Sequence, residues 1–310
     1  MTNVLDPAGP QADNIAWLTW VFMAVCLVVY LATLGALAWS VLRRRRQEDD
    51  SPATTRRLGG VVATAVAITA AMLVVLTISS EVAGRGLSKP SGPGAVTVDV
   101  VGYQWFWDFR YQDVTPSDWV SSPNELHIPV GVPVVINAMS RDVIHSFWIP
   151  ELHGKRDLIP GFTTQTWIQA DEPGVYRGQC AEFCGHQHAK MAFVVIAEPL
   201  AAFQAWLQRQ RRAAATPTTD TQRGHDVFMS NSCVTCHTIR GTQAGSRVGP
   251  ELTHVGSRRT IAAGTLANTR EQLMQWVRDP QAIKPGTRMP ANRLSDDDLR
   301  AVVDYLESLE

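Results

Sequence analysis

Cys180-Ala-Glu-Phe-Cys184-Gly-His-Gln-His188-Ala-Lys-Met191 places two thiols, imidazole and a thioether within twelve residues. A further histidine stands upstream at His145. Thiolate and thioether are soft ligands, and their mixture with imidazole favours copper over the hard cations. A mononuclear blue-copper site takes one cysteine, two histidines and a weak methionine. Here the cysteine is doubled, which suits two copper ions bridged by two thiolates. Zinc is the rival, because Cys180, Cys184, His188 and His145 would form an acceptable tetrahedral set. Met191 argues against it, since zinc sites draw on Cys, His and carboxylate rather than thioether.

Around this loop the sequence reads as short strands. Ala95–Asp99 alternates apolar and polar residues, as a half-buried strand does. Val132–Ile136, Val143–Ile149, Thr164–Ile168, Val175–Gly178 and Met191–Ile196 follow, punctuated by Pro, Gly, Asn and Asp. That pattern predicts an all-β sandwich or barrel. Ala201–Arg212 predicts a short helix, and Ala213–Thr219 a flexible Ala/Thr/Pro connector. From Gln222 onward helical periodicity returns, with Ser295-Asp-Asp-Asp298 as an N-cap before Leu299–Leu309.

The C-terminal part carries its own chemistry. Cys233-Val-Thr-Cys236-His237 is a C-x-x-C-H sequence, the attachment signature of a c-type haem, with His237 as the proximal iron ligand. The opposite ligand in this class is commonly methionine, which raises the reduction potential. Met289, in Pro285-Gly-Thr-Arg-Met289-Pro290, lies on a rigid downstream loop. Its competitor Met274 lies in Glu271–Arg278, an amphipathic helical pattern where a core role fits better. Half of a zinc knuckle is the bland reading of C-x-x-C-H, but no second cysteine pair follows. Of five cysteines, four lie in these two motifs. The fifth, Cys26, sits in an apolar segment, so no disulfide framework remains.

At 310 residues, with 28 basic against 29 acidic side chains, the chain has room for two modest domains and makes no case for nucleic acid. Asn14–Leu42 and Leu58–Ser80 carry no charge, and each exceeds the ~20 residues that span a bilayer. Trp17, Trp20 and Trp39 sit near the ends of the first segment, where indoles favour the membrane interface. Arg43–Arg46 and Arg56-Arg57 lie between the spans, and the tail before Asn14 has no Lys or Arg. Basic loops stay cytoplasmic, which predicts a hairpin with both chain ends outside. No positive charge precedes the first span, so it is expected to be retained rather than cleaved. Gly84–Gly94 reads as a linker. Residues 95–200 carry 6 basic and 12 acidic side chains, whereas residues 219–310 are balanced at 11 of each. The acidic excess would either steer a basic electron donor or form a solvated face.

Gly102-Tyr-Gln-Trp-Phe-Trp-Asp-Phe-Arg-Tyr111, Val143-Ile-His145-Ser-Phe-Trp-Ile-Pro150, Asp157-Leu-Ile-Pro-Gly161 and the Cys180–Met191 loop together resemble cytochrome c oxidase subunit II. Val248-Gly-Pro250-Glu-Leu-Thr253 and Trp276–Pro290 resemble small class I cytochromes c. The resemblance implies a multidomain membrane protein. Residues 1–94 would be tail, transmembrane hairpin and linker, and 95–200 a cupredoxin-like Greek-key β-sandwich. Residues 201–218 would be a helix and flexible linker, and 219–310 an all-α class I cytochrome c domain. It implies a binuclear CuA centre in which Cys180 and Cys184 bridge the coppers, with His145 and His188 as terminal ligands. Met191 is the weak ligand on one ion, and the Glu182 carbonyl binds the other. The Glu182 side chain would reach a magnesium or manganese ion shared with subunit I. Trp105 stands where the family admits electrons from an external cytochrome c, although an attached haem would deliver them differently. Implied partners are the haem-copper subunit I, subunit III, and a cytochrome c or cytochrome bc complex as donor. The implied location is the bacterial plasma membrane, with copper and haem on the outer side. A subunit of a CuA-type nitric oxide reductase, or a membrane-anchored carrier without a catalytic partner, would use the same relay. Quinol oxidase subunits lack the copper ligands. His127, His153, His186, His225 and His254 belong to neither motif and are expected in surface or cap roles.

Overall fold

In the computed structural model, residues 3–43, 51–86, 96–113, 115 and 119–310 are described. The chain divides into two compact units, Asp13–Lys89 on one hand and Met1–Ala12 with Pro90–Glu310 on the other. The first unit holds nearly all of helices α1 (Pro10–Leu42) and α2 (Pro52–Gly86). At 1.5 Å per residue, their 33 and 35 residues exceed the ~30 Å hydrocarbon core of a bilayer. Leu27, Val28, Leu31, Val61, Val62 and Ile78 stay exposed along them, a surface suited to lipid rather than water. Gly84–Gly86 of the expected linker continue α2. The rest of that linker, Ala95, and Arg44–Arg46 of the basic loop lie outside the described residues.

The second unit contains a β-sandwich. One sheet runs β3 (Val120–Pro123), β2 (Phe106–Tyr111), β1 (Val96–Tyr103), β5 (Val134–Ser140) and β8 (Thr164–Ile168). The other runs β4 (Glu125–Pro129), β10 (Ala192–Glu198), β9 (Gly174–Cys180), β6 (His145–Trp148) and β7 (Arg156–Leu158). β1 pairs antiparallel with β2 but parallel with β5, and β10 pairs parallel with β4. Those parallel pairs are crossovers that tight hairpins cannot make. Trp107, Phe109, Phe147 and Phe193 fill the space between the sheets, with ring centroids 5.1–6.3 Å apart. Four of these pairs pack edge-to-face and Phe147 stacks on Phe193, geometries that add to plain area burial. The N-terminal tail lies on the same sandwich: Ala8 N–H donates to the Glu151 carbonyl and the Gln11 side chain to that of Trp167.

Helix α3 (Leu200–Gln210) leads from the sandwich, burying Phe203 and Trp206. The cytochrome-like part is built from α4 (Gln222–Ser230), α5 (Arg270–Arg278), α6 (Pro280–Ile283) and α7 (Asp296–Glu307). A two-stranded ribbon joins them, β11 (Thr260–Ile261) with β12 (Leu266–Ala267). Phe228, Leu273, Val277, Val302, Val303 and Leu306 form its core. The Ser295 hydroxyl caps α7 by accepting from the Asp298 amide, satisfying one of the orphan N–H groups of the first turn.

Three histidines depart from the expected surface role. His127 is buried between Glu125 and Glu198 and stacks on Trp206 at 4.0 Å. His153 is buried against Phe147. His254 is buried and meets the carbonyls of Arg212 and Glu310. His127 and His254 are covered by elements distant in sequence, which local pattern could not reveal.

Candidate functional site

Strands β6 and β9 pair Phe147 with Cys180, which brings His145 and Cys180 to the same end of the sheet. After β9 the chain turns through the ligand loop and returns at β10. The Cys180 and Cys184 sulfurs lie 3.7 Å apart. His145 Nδ1 is 3.9 Å from Cys180 Sγ, and His188 Nδ1 is 3.6 Å from Cys184 Sγ. Met191 Sδ lies 3.8 Å from Cys184 Sγ, and the Glu182 carbonyl lies 3.2 Å from Cys180 Sγ. His145, Cys180 and Cys184 offer ligand atoms within 4.8 Å of one another, all of them buried. Two sulfurs at the centre, with imidazoles, thioether and carbonyl around them, form a soft donor set that fits a pair of copper ions.

The surrounding groups hold this arrangement. Asp142 Oδ1 lies 2.8 Å from His145 Nε2, which fixes the tautomer and leaves Nδ1 facing the sulfurs. Burial pulls the His145 pKa down, but hydrogen bonds to Asp142 and Cys180 outweigh it and the pKa is raised. The Cys180 thiol is pushed down by its contact with Cys184, against burial, while Cys184 is pushed up by the sulfur beside it. Gly102 of β1 lies against the His145 ring: a Cβ there would stand 2.8 Å from Cδ2, so only glycine leaves space for the imidazole. Gln104 Nε2 and Trp105 Nε1 both donate to the Cys184 carbonyl at 2.9 Å. Sequence reading passed over Asp142 and Gln104; the i, i+3 spacing of Asp142 to His145 was the available signal.

The second site is a cavity in the cytochrome-like part. Cys233, Cys236, His237, Gly249, Pro250, Leu273, Trp276 and Met289 line it. His237 Nδ1–H donates to the Pro250 carbonyl at 2.7 Å, leaving the Nε2 lone pair for a metal. Burial lowers the His237 pKa, which keeps the ring neutral. A Cβ on Gly249 would stand 2.7 Å from His237 Cε1, so this glycine allows the chain to pack on the ring edge. An apolar cavity with two thiols on one wall, a neutral imidazole beside them and a thioether at its rim fits a covalently held haem. Met274 is packed against the helical core and does not line the cavity.

The two sites adjoin. Trp105, Gln104 and Phe106 of the β-domain also line this cavity. Trp105 is 9% exposed, and Lys284 of the cytochrome-like part donates to its carbonyl. Glu182 is half-buried, and Phe183 next to it is 76% exposed.

Residues 116–198 match the model of the cytochrome c oxidase subunit II periplasmic domain, and residues 221–310 that of cytochrome c. Cytochrome c oxidase subunit 2 of Alkalihalophilus pseudofirmus is 37% identical, the match covering 99% of this chain and 91% of the relative. The protein of the same description from Bacillus sp. strain PS3 is 34% identical, over 72% of this chain and 64% of its own length. Among solved structures, the periplasmic domain of subunit II of cytochrome oxidase from Bradyrhizobium japonicum is 29% identical. It covers 38% of this chain and 96% of its own length, at a TM-score of 0.36. The subunit II domain implies copper and the cytochrome domain implies haem, the groups that the two donor sets fit. The full-length match, the converging ligand loop and the haem-binding cavity together establish that the chain belongs to the cytochrome c oxidase subunit II family, with a cytochrome c domain following the copper domain.

Proposed function

We propose that this chain is the electron-entry subunit of a membrane-bound respiratory haem-copper oxidase. It would pass electrons from an external donor through its own haem c to CuA and on to the haem of subunit I, where O2 is reduced to water with proton translocation. Both groups supply reversible one-electron chemistry when bound. Cys233 and Cys236 would tether the haem, and His237 and Met289 would hold its iron. His145, Cys180, Cys184, His188, Met191 and the Glu182 carbonyl hold the two coppers. Burial of the ligand atoms and the Asp142 contact keep the copper donors in one arrangement, so little rearrangement accompanies a change of charge.

The observation that carries this reading is the shared wall between the sites. Trp105 lines the haem cavity and donates its indole N–H to the carbonyl of Cys184. Its role is then intramolecular, receiving from the attached haem rather than from a free cytochrome c. The Glu182 side chain is assigned to the magnesium or manganese ion shared with subunit I, because hard cations take carboxylate oxygen. Residues 1–94 anchor the chain in the plasma membrane with both ends outside. Residues 95–200 carry the copper, 201–218 connect, and 219–310 carry the haem. Subunits I and III are the partners in the membrane, and a cytochrome c or the cytochrome bc complex is the donor.

The test is a metal count on the full chain purified in detergent after copper-replete maturation. Two coppers per covalent haem, with an EPR signal shared between both copper nuclei, is the expected outcome. One zinc and no copper would overturn the assignment.

A further inference from the structure

The cytochrome domain is bolted to the copper domain through the loops that carry their ligands. Lys284 is the centre of this contact. It is 1% exposed, and its ammonium donates to three backbone carbonyls: Lys190 at 2.9 Å, Ala262 at 3.1 Å and Trp105 at 3.3 Å. Two of those carbonyls belong to the copper domain, one from the ligand loop and one from the tryptophan between the sites. The third comes from the turn joining β11 to β12. An ammonium has three donors and no acceptor, so three converging carbonyls match it fully.

The surrounding contacts run the same way. Lys190 Nζ reaches the Ile283 carbonyl at 2.5 Å and Gln187 Nε2 the Pro285 carbonyl at 2.6 Å. The Ala192 amide, one residue past Met191, donates to the Ala263 carbonyl at 3.0 Å. Arg288, next to Met289, donates to Gln104 at 3.1 Å and lies 3.5 Å from Asp142, the residue that orients His145. Ala262 and Ala263 both hold positive φ, 53° and 57°, a conformation that L-residues other than Asn, Asp and His seldom adopt. That strain persists because their carbonyls are used at this contact, one by Lys284 and one by Ala192.

We propose that Lys284 is a positioning residue for internal electron transfer, locking the Met289 loop of the cytochrome domain onto the copper-ligand loop. This rests on the reading that haem c delivers to CuA. Lys284 also lines the cavity that His237 and Met289 border, but its ammonium bonds to the three carbonyls rather than to a metal ligand. It acts by holding Trp105, Lys190 and the 262–264 turn in one register, so that a single electron leaves ferrous haem and enters the copper pair with no proton moved. Burial, with Lys190 nearby, lowers the Lys284 pKa to about 7.

Lys284→Met keeps the length of the side chain and removes the three donors. In the full chain, loaded with haem and copper in detergent, amide exchange at Ala192 and around 284–289 should accelerate at least about tenfold, while amides of α4 and α7 stay protected. Haem attachment through Cys233 and Cys236 should be unchanged. One-electron transfer from flash-reduced haem to copper should slow several-fold, since electron tunnelling weakens with every added ångström between the groups. Wild-type exchange and wild-type transfer rate in the variant would overturn the proposal. Should Lys284→Met lose its haem or the protection of α4 and α7, Lys190→Met decides. It removes an exposed arm of the same lock and should give a smaller acceleration at the same amides, and unchanged amides would overturn the proposal. Failure of the underlying functional reading looks different: wild type itself would show no haem-to-copper transfer, while the exchange result would still report on the lock.

Discussion

Asp142→Asn tests whether the copper site is organised by its surroundings as well as by its ligands. Asp142 Oδ1 is 2.8 Å from His145 Nε2, and its carboxylate also accepts from the amides of Gln104 at 2.7 Å and Val143 at 2.8 Å. Asparagine retains one oxygen acceptor but turns an NH2 toward one of those donors. His145 then either loses its fixed tautomer or leaves a backbone N–H unpaired. Loss of such a partner weakens metal binding by about 10–100-fold, or roughly 1.4–2.7 kcal/mol. Protons compete for the same nitrogen. Asp142 raises the His145 pKa, so it strengthens proton binding together with copper binding. Above that raised pKa the competition vanishes and the full loss is visible, whereas below it the variant is spared part of the competition and the gap narrows. Copper competition titrations against a chelator at pH 6 and pH 8.5, on the full chain with haem attached, read both effects. An affinity within about threefold of wild type at pH 8.5 would refute the reasoning, because outer-sphere loss has a larger expected cost.

Two other outcomes follow from the same geometry. Met289→Ala should leave haem attached through Cys233 and Cys236 but lower its potential, since each tenfold preference of the thioether for ferrous over ferric iron is worth about 59 mV; an unchanged potential in redox titration would exclude Met289 as the ligand. His127→Gln probes the buried cluster: burial opposes the charge, but hydrogen bonds to Glu125 and Glu198 raise the His127 pKa above 6.5. A raised folded-state pKa stabilises fully below 6.5 and is lost as pH climbs through it, so the melting-temperature gap between wild type and variant should shrink from pH 6 to pH 9. A gap independent of pH would show that the cluster is not protonated as described.

The elements that were legible in the sequence share one property: their pattern is local. Thr164–Ile168 matches β8 residue for residue, and Ser295 caps α7 where the Ser-Asp-Asp-Asp run predicted it. The ligand loop and C-x-x-C-H announced themselves because their spacing is set by the metal and the macrocycle. What escaped was non-local. β4 is buried at all five positions, including Glu125 and His127, because α3 covers it and Arg259 of the cytochrome domain donates its amide to Glu125. A strand buried on both faces shows no alternation, and two polar residues within it argue for surface. Lys284 gave no signal at all. A lysine in an Ile-Lys-Pro-Gly turn reads as solvated until three carbonyls from distant segments are seen around it.

The acidic excess of the β-domain has partners within the chain. Asp142 faces Arg288, Asp113 pairs with Arg211, and the field of Glu125 and Asp108 acts on the buried Arg258. Arg288 and Arg258 belong to the cytochrome domain, so part of the charge that could have steered a diffusing basic protein faces the attached domain instead. Tethering changes what such charges need to accomplish. A free donor must be drawn from dilute solution, where long-range attraction governs the encounter and salt screens it. A domain tethered in the same chain is already present at an effective concentration on the order of millimolar, so a modest contact keeps it docked. Selection can then favour close, desolvated contacts such as the Lys284 clamp, which fix geometry, over exposed charge, which fixes encounter rate. Internal transfer should therefore be nearly independent of ionic strength, while reduction of the haem by an external donor varies with salt. Flash photolysis of the full chain from 20 to 500 mM salt separates the two steps. A strong salt dependence of the internal step would mean that the cytochrome domain is held by screened surface charge, and the buried clamp would lose its explanatory role.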